Sequence, residues 1–191
     1  MRNRGISLVE MAISILIILV TAAVALPMFR ARFAEAHLVG AGEQFKVRFR
    51  RAHSMAVRSG VYTAIRFHRA DDGSVTYAIY ADGNYNGVLS ADIAKGKDRL
   101  VEGPIPLTAG APGVFVGFNP GVPEIPPDGG VLSGDPVRFG SSDMLSFSPL
   151  GTATPGTFYL AGDHSQAAVR VNGGTARVRL MLWRGGRWQE R

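Results

Sequence analysis

The hydrophobic pattern of the chain changes its period twice. From Ile6 to Leu26 the sequence is apolar almost throughout, and Glu10 is its only ionisable side chain. Over residues 28–60 the apolar side chains recur every three or four positions, and from Val61 onward they alternate with polar ones. Spacings of three to four and of two are typical of helices and strands, respectively. The pattern predicts an α+β protein in which a long N-terminal helix of two halves precedes a β-rich head.

The first half of the helix is long enough to cross a membrane. At about 1.5 Å per residue, the stretch from Ile6 to Leu26 extends over about 31 Å, the thickness of a bilayer core. With Pro27, which closes the apolar stretch, the predicted transmembrane helix covers residues 6–27. Arg2 and Arg4 precede it, and basic residues stay on the cytoplasmic side. The rest of the chain is therefore expected on the opposite side of the membrane.

A secretory signal peptide is the alternative interpretation of this segment. The basic start fits it, and Ala23-Val24-Ala25 resembles a cleavage site of small residues. However, the apolar run is longer than the ~7–15 residues of a signal core. A carboxylate such as Glu10 also costs roughly 2.5–3.5 kcal/mol inside a bilayer and needs a reason to be there. A retained membrane helix is the favoured interpretation.

Residues 28–60 are predicted to form an amphipathic helix that ends near Ser59-Gly60 and packs its apolar stripe on a sheet. The stripe consists of Phe29, Phe33, Ala36, Leu38, Phe45, Phe49, Ala52, Met55 and Ala56. Arginine and lysine residues mostly occupy the other positions. They form either a solvated face or a contact with lipid phosphates or a partner protein.

Residues 61–191 are predicted to form the β-rich head. Val61–Phe67 and Val75–Ala81 alternate strictly and flank Asp71-Asp72-Gly73, which indicates a hairpin. Gly, Pro and Asp residues separate further strand-like runs at Leu100–Leu107, Val114–Phe118, Val137–Phe139, Met144–Phe147, Thr157–Ala161, Ala167–Val171 and Ala176–Trp183. The proline-rich stretch Asn119–Asp135 is predicted to be a long surface loop and the segment most suited to vary in sequence or to bind a partner.

Composition and charge narrow the function classes. The 191 residues include no Cys, which excludes disulfides, thiolate nucleophiles and Cys-ligated metal sites. The formal net charge of +6 is unevenly distributed, since residues 30–69 and 176–191 are basic and residues 70–175 are acidic. This distribution argues against a uniformly basic nucleic-acid-binding domain.

The N-terminus carries a family resemblance. Gly5-Ile6-Ser7-Leu8-Val9-Glu10 after a short basic leader resembles the type III signal of type IV pilins and type II secretion pseudopilins. The resemblance implies that residues 1–5 are a leader, that prepilin peptidase cuts between Gly5 and Ile6, and that the new terminus is often N-methylated. It also implies that Glu10 pairs with the α-amino group of a neighbouring subunit. A charge in hydrocarbon is costly alone and much less costly when it is paired. Pro27 falls where these proteins commonly carry a proline.

The C-terminal half resembles the GspH/FimT family of minor pilins. The residues that carry this resemblance are Leu145–Ala153, Gly156–Leu160 and Arg177–Leu180. The family implies a minor pilin or pseudopilin with a head of two antiparallel sheets, anchored by a single pass in the inner membrane with the head in the periplasm. Such a subunit has a structural, assembly-initiating or tip role in a type IV pilus or type II secretion pseudopilus. Its implied partners are other pilins or pseudopilins, prepilin peptidase, the inner-membrane assembly platform and the lipid bilayer.

One loop resembles the front half of an EF-hand. Asp82, Asn84 and Asn86 place oxygen-bearing side chains at alternate positions before Gly87. The twelfth position is Ile93, so the usual bidentate Glu is missing, and Asp92 would have to serve as a ligand. Some pseudopilins bind calcium, but Asn and Gly are equally the residues of a tight turn. A Ca²⁺ site and a structured turn without any cofactor are the two alternatives.

The C-terminal tail combines arginines with tryptophans. Guanidinium groups can pair with phosphates and indoles can stack on bases, which suggests DNA binding through Arg184, Arg187 and Arg191. Some FimT-type pilins of naturally competent bacteria bind DNA through a Gly-Arg-x-Arg motif, so a role in natural transformation is the alternative function. Here Gly186-Arg187-Trp188-Gln189 lacks the second Arg. The other interpretation is that Trp183 and Trp188 pack on a sheet edge.

Catalytic motifs are absent from the sequence. It has no Gly-x-Ser-x-Gly, no phosphate-binding Gly-x-x-x-x-Gly-Lys and no His-Glu-x-x-His. The four histidines, His37, His53, His68 and His164, are scattered and pair with no candidate nucleophile. The sequence predicts a structural protein and no enzyme.

Overall fold

The computed structural model describes residues 8–70, 74–107, 111–163 and 165–191. Within these ranges the chain forms a long helix, a short helix and ten strands. In chain order they are α1 (Leu8–Ser59), β1 (Thr63–Arg69), β2 (Val75–Ala81), α2 (Ser90–Ala94), β3 (Arg99–Pro106), β4 (Phe115–Val116), β5 (Val137–Arg138), β6 (Met144–Phe147), β7 (Gly156–Ala161), β8 (Gln166–Val171), β9 (Val178–Arg184) and β10 (Arg187–Glu190).

The chain divides into two compact units, and the boundary between them falls within helix α1. The first unit ends at Phe33, and the second runs from Ala34 to Arg191. The helix ends as its sequence predicts, because Gly60 adopts a left-handed φ of 71° and donates its N–H to the Ala56 carbonyl at 3.0 Å. A glycine in this conformation is a common helix stop, since it has no Cβ to clash.

The second unit contains two antiparallel sheets. The first has the strand order β3-β2-β1-β6 and the second the order β10-β9-β8-β7-β4, with β5 also paired to β7. Alternation accounts for their packing, since Phe158 and Leu160 on β7 face the core while Tyr159 faces outward. The predicted fold class, a long helix with a head of two antiparallel sheets, is confirmed.

The core of the second unit lies where residues 38–56 of α1 meet both sheets. Phe45 and Phe49 are buried and contact aromatic rings from the sheets, with Phe45 at 4.9 Å from Phe158 between ring centroids. The helix approaches β9 closely at Gly42, where a Cβ would lie 2.6 Å from Leu180 Cδ1. The predicted stripe therefore packs as expected over this stretch, whereas Phe29 and Phe33 in the first unit are exposed.

The proline-rich stretch 119–135 departs from the prediction of a plain surface loop. Its apolar side chains Val122, Ile125 and Leu132 are buried in a small cluster with Tyr159 and Ala168 on the outer face of the second sheet. The loop is thus packed against this part of the outer face.

Arg138 on β5 holds this loop in place. Its guanidinium donates to both carboxylate oxygens of Glu124, at 2.9 and 3.1 Å, and to the Ser133 carbonyl at 2.6 Å. Its Nε donates to the Asp135 carbonyl at 2.9 Å. Since all these acceptors lie in the loop, one side chain fixes both of its halves.

Candidate functional site

The apolar half of α1 presents an uncovered surface. Residues Leu8–Leu26 form a helix long and apolar enough to cross a membrane, and none of this span is buried within the chain. Its two hydroxyl side chains are satisfied internally, since Ser14 Oγ donates to the Glu10 carbonyl and Thr21 Oγ1 to the Ile17 carbonyl, both at 2.8 Å. Hydrocarbon offers no hydrogen-bond partners, so this internal pairing suits a helix in a bilayer.

Glu10 lies on the first turn of this helix and is exposed. Within the described ranges its carboxylate forms no ion pair, so its charge is available to a group outside them. A carboxylate near a helix N-terminus is favoured by the helix dipole. Pro27 lies within the continuous helix α1, and nothing is described of its side chain. The predicted cleavage and methylation residues, Gly5 and Ile6, lie outside the described residues.

The loop between β2 and β3 is organised around Asp82. This residue is only 6% exposed, and its two carboxylate oxygens accept three backbone N–H groups. Oδ1 accepts from Asn84 at 3.0 Å and from Tyr85 at 2.8 Å, and Oδ2 accepts from Gly87 at 2.8 Å. Tyr85 and Gly87 both adopt positive φ, so the carboxylate stabilises a turn that most residues would resist.

Two further buried carboxylates close the same loop. Asp98 accepts the N–H of Gly83 at 3.2 Å and of Leu89 at 2.9 Å. Asp92 accepts the side-chain amides of Asn86 at 2.9 Å and Asn84 at 3.2 Å. These amides, with help from the nearby Lys97 ammonium, lower the pKa of the Asp92 carboxyl below its ordinary value.

The predicted calcium residues Asp82, Asn84, Asn86 and Asp92 are therefore brought together. The carboxylates of Asp82 and Asp92, however, already accept hydrogen bonds, and the two amides direct Nδ2 rather than oxygen toward Asp92. In the part of the chain that the structure describes, no three Asp, Glu or His side chains cluster closely enough to hold a metal ion. This geometry favours the structured turn, and calcium binding stays a prediction.

The C-terminal arginines lie on a hairpin of β9 and β10 that the sequence did not predict. Arg184 forms an ion pair with Glu35 on α1, and Arg187 is its cross-strand neighbour. Arg191 accepts a hydrogen bond from Lys46 at its carbonyl oxygen, at 3.5 Å. The hairpin thus anchors the C-terminus to the helix, and one of the three predicted DNA-binding arginines is engaged in that contact.

The two tryptophans pack as the second interpretation of the tail expected. Their ring centroids are 5.7 Å apart, and Trp188 Nε1 donates to the Pro123 carbonyl at 2.9 Å. Both are partly buried against the cluster under the proline-rich loop. They are therefore engaged by the protein's own fold, and DNA binding by the tail stays a prediction.

Sequence reasoning missed the side chains that join distant elements. Glu35, Glu124 and Arg138 each form a contact that depends on which strands and loops become neighbours. No local pattern reveals such a pairing. The only signal was that each stands in a segment otherwise rich in apolar or turn residues.

The architecture defines the class of protein. A long N-terminal helix with an uncovered apolar half, followed by a head of two antiparallel sheets, is what the leader and C-terminal motifs predict for a pilin-like subunit. The family model described as type II transport protein GspH matches residues 41–175, well over half of the chain. The chain belongs to the GspH family, a family of structural pseudopilins, and its role is broadly that of a type II secretion minor pseudopilin. No curated protein and no solved structure shows significant similarity to it.

Proposed function

We propose that this chain is a structural subunit that assembles into the pseudopilus of a type II secretion system. In this proposal it is inserted once in the inner membrane, with its head in the periplasm, and is then drawn into the fibre through the assembly platform. The observation that carries the proposal is the uncovered apolar surface of Leu8–Leu26 with Glu10 as its only described charge. Such a surface is stable only in lipid or against similar helices.

Glu10 has a specific task in this proposal. Prepilin peptidase cleaves between Gly5 and Ile6, and the freed α-amino group of one subunit pairs with the Glu10 carboxylate of the next. Both charges are costly alone in hydrocarbon, whereas a pair is much less so. The pairing therefore sets the axial register between subunits, while the apolar side chains supply the packing area.

The cleavage is tested by N-terminal mass spectrometry of the protein isolated from its native membrane. We expect a mature chain that begins at Ile6, with or without an added methyl group. A chain that begins near Leu26 would show that the segment is a signal peptide and would refute the proposal.

The role of Glu10 is tested by Glu10→Ala, scored as the fraction of the chain recovered in the sheared or cross-linked pseudopilus. We expect incorporation to fall by roughly ten-fold or more, because each subunit contact loses a paired charge in hydrocarbon. The matched control is Glu43→Ala, which removes a partly exposed carboxylate of the same helix that pairs with Lys46 at 3.3 Å. Normal incorporation of Glu10→Ala would contradict the proposed register, and limited proteolysis confirms that the head of each variant is folded.

A further inference from the structure

The second sheet carries an open groove beside the proline-rich loop. The groove has a volume of about 590 Å³, and its lining combines four arginines with apolar and aromatic side chains such as Tyr159 and Met181. Pro126 and Pro127 of the loop line it together with Pro155. It lies on the outer face of β8 and β9, because the alternate residues Val169, Val171 and Leu180 are buried in the core.

The four arginines are not equivalent. Arg138 is committed to the fold through Glu124 and two loop carbonyls. Among the described residues, the Arg170 guanidinium contacts the Pro126 carbonyl at 3.3 Å and Asp128 at 3.6 Å. Arg177 and Arg179 share the carboxylate of Glu190, at 3.1 and 3.5 Å. A guanidinium has five N–H donors, so most donors of these three side chains remain free for a ligand.

The placement of these three arginines destabilises the sheet through repulsion between like charges. Arg170 and Arg179 are directly opposite each other in the register of β8 and β9, and Arg177 precedes Arg179 by two positions on the same face. Like charges directly opposite on neighbouring strands repel each other. The two nearby carboxylates, Asp128 and Glu190, offset only part of this charge. A cluster of this kind becomes favourable once an anionic group enters between the guanidinium groups.

We propose that this groove binds an extended acidic segment of a partner protein, with its carboxylates paired to Arg170, Arg177 and Arg179. Guanidinium groups recognise carboxylates with two parallel hydrogen bonds, and the flanking prolines and Met181 offer apolar contact to the rest of a peptide. This inference uses the head alone and is independent of whether the chain enters a pseudopilus.

The groove suits a peptide better than DNA. Duplex DNA carries about one negative charge per 1.7 Å of its axis. So dense a polyanion would be repelled by Asp128 and Glu190, which lie among the arginines. A peptide can place an isolated carboxylate at each guanidinium and uncharged residues beside the acidic side chains.

The experiment measures the fluorescence anisotropy of a fluorescein-labelled peptide of four Glu-Ser repeats titrated with the full chain in a non-ionic detergent. We expect binding that weakens as salt concentration rises, and an affinity about ten-fold or more lower for the double variant Arg170→Ala, Arg179→Ala, which loses two charge-assisted contacts. The matched control is Arg50→Ala, Arg99→Ala, which removes the same charge from exposed positions outside the groove. We expect its affinity to stay within about two-fold of the original.

Three results would overturn the proposal. The first is no binding of the Glu-Ser peptide at low salt, and the second is an equal loss in both double variants, which would indicate bulk charge attraction. The third is tighter binding of duplex DNA that the groove variant abolishes, which would assign the groove to nucleic acid. Circular dichroism melting verifies that the variants fold. If Arg170→Ala, Arg179→Ala does not, Arg179→Lys tests the same point, because lysine keeps the charge and loses the bidentate geometry.

Discussion

The carboxylate of Asp82 offers the sharpest quantitative test of the structure. In Asp82→Ala, three backbone N–H groups of the loop lose their acceptor at once. The side chain is 6% exposed, so the carboxylate also leaves a small void. The loop would then have to hold Tyr85 and Gly87 at positive φ without its central partner.

The magnitude follows from these bonds. A hydrogen bond to a charged group contributes about 1.5–3 kcal/mol when its donor is well shielded. Here Asn84 and Tyr85 are exposed and Gly87 is partly buried, so water can replace part of each contact. We therefore expect about 1 kcal/mol per bond and about 3 kcal/mol in total. For a unit of this size, that loss lowers the melting temperature by about 6–12 °C.

The assay is thermal unfolding of the full chain in detergent at neutral pH, followed by circular dichroism. The matched control is Asp128→Ala, since Asp128 is mostly exposed and lies 3.6 Å from Arg170. An exposed ion pair of this kind contributes about 0–1 kcal/mol, so its melting temperature should change little. If Asp82→Ala melted within about 2 °C of that control, the loop would not depend on the described hydrogen bonds and the reasoning would be refuted.

Three further predictions concern packing, pH and calcium. Gly42→Ala should lower the free energy of unfolding by about 1 kcal/mol or more, because the added Cβ meets Leu180. Gly40→Ala, where the added Cβ enters open space, should raise it by up to about 1 kcal/mol. Chemical denaturation measures both variants, and equal effects would contradict the described packing. Burial and the neighbouring Glu124 carboxylate raise the pKa of Tyr159 to about 12, whereas an unfolded tyrosine ionises near 10. Only the unfolded chain releases this proton between those pH values, so the free energy of unfolding should fall by up to about 2.7 kcal/mol as the pH rises across that window. In an absorbance titration of tyrosinate, the ionisation step at the highest pH should be missing from Tyr159→Phe. If hydrogen bonds within the Asp82 loop are enough to close it, millimolar Ca²⁺ should shift the melting temperature by less than about 1 °C relative to EGTA. A larger rise that Asp92→Asn abolishes would instead show that the loop binds Ca²⁺.

Local patterns predicted most of the fold because its elements are locally consistent. The strict alternation before and after Asp71 gives β1 and β2, and the strand expected at Met144–Phe147 is found at those residues. The helix end at Gly60 also depends on one residue and its conformation. In each case the deciding interaction lies within a few residues along the chain.

The remaining features depend on pairings across long sequence distances. Strand β10 is not predicted from its local sequence, and it becomes a strand by pairing with β9. The prolines of the stretch 119–135 predict a surface loop, yet its own side chains Val122 and Leu132 are buried against the second sheet. The arginine groove was invisible for the same reason, since the approach of Arg170 to Arg179 is set by the register of two strands.

The contact between Gly42 and Leu180 has a consequence for how the protein is made. Residues near the start of the head rest against β9, and β9 lies between β8 and β10 in the interior of its sheet. Leu38, Phe45 and Phe49 are thus synthesised early, and the core cluster to which they belong is complete only when Leu180 and Leu182 have been made. Until then a strip of large apolar side chains is uncovered, which favours aggregation in incomplete chains. A chain truncated before β9 therefore lacks part of its core and should be prone to aggregation.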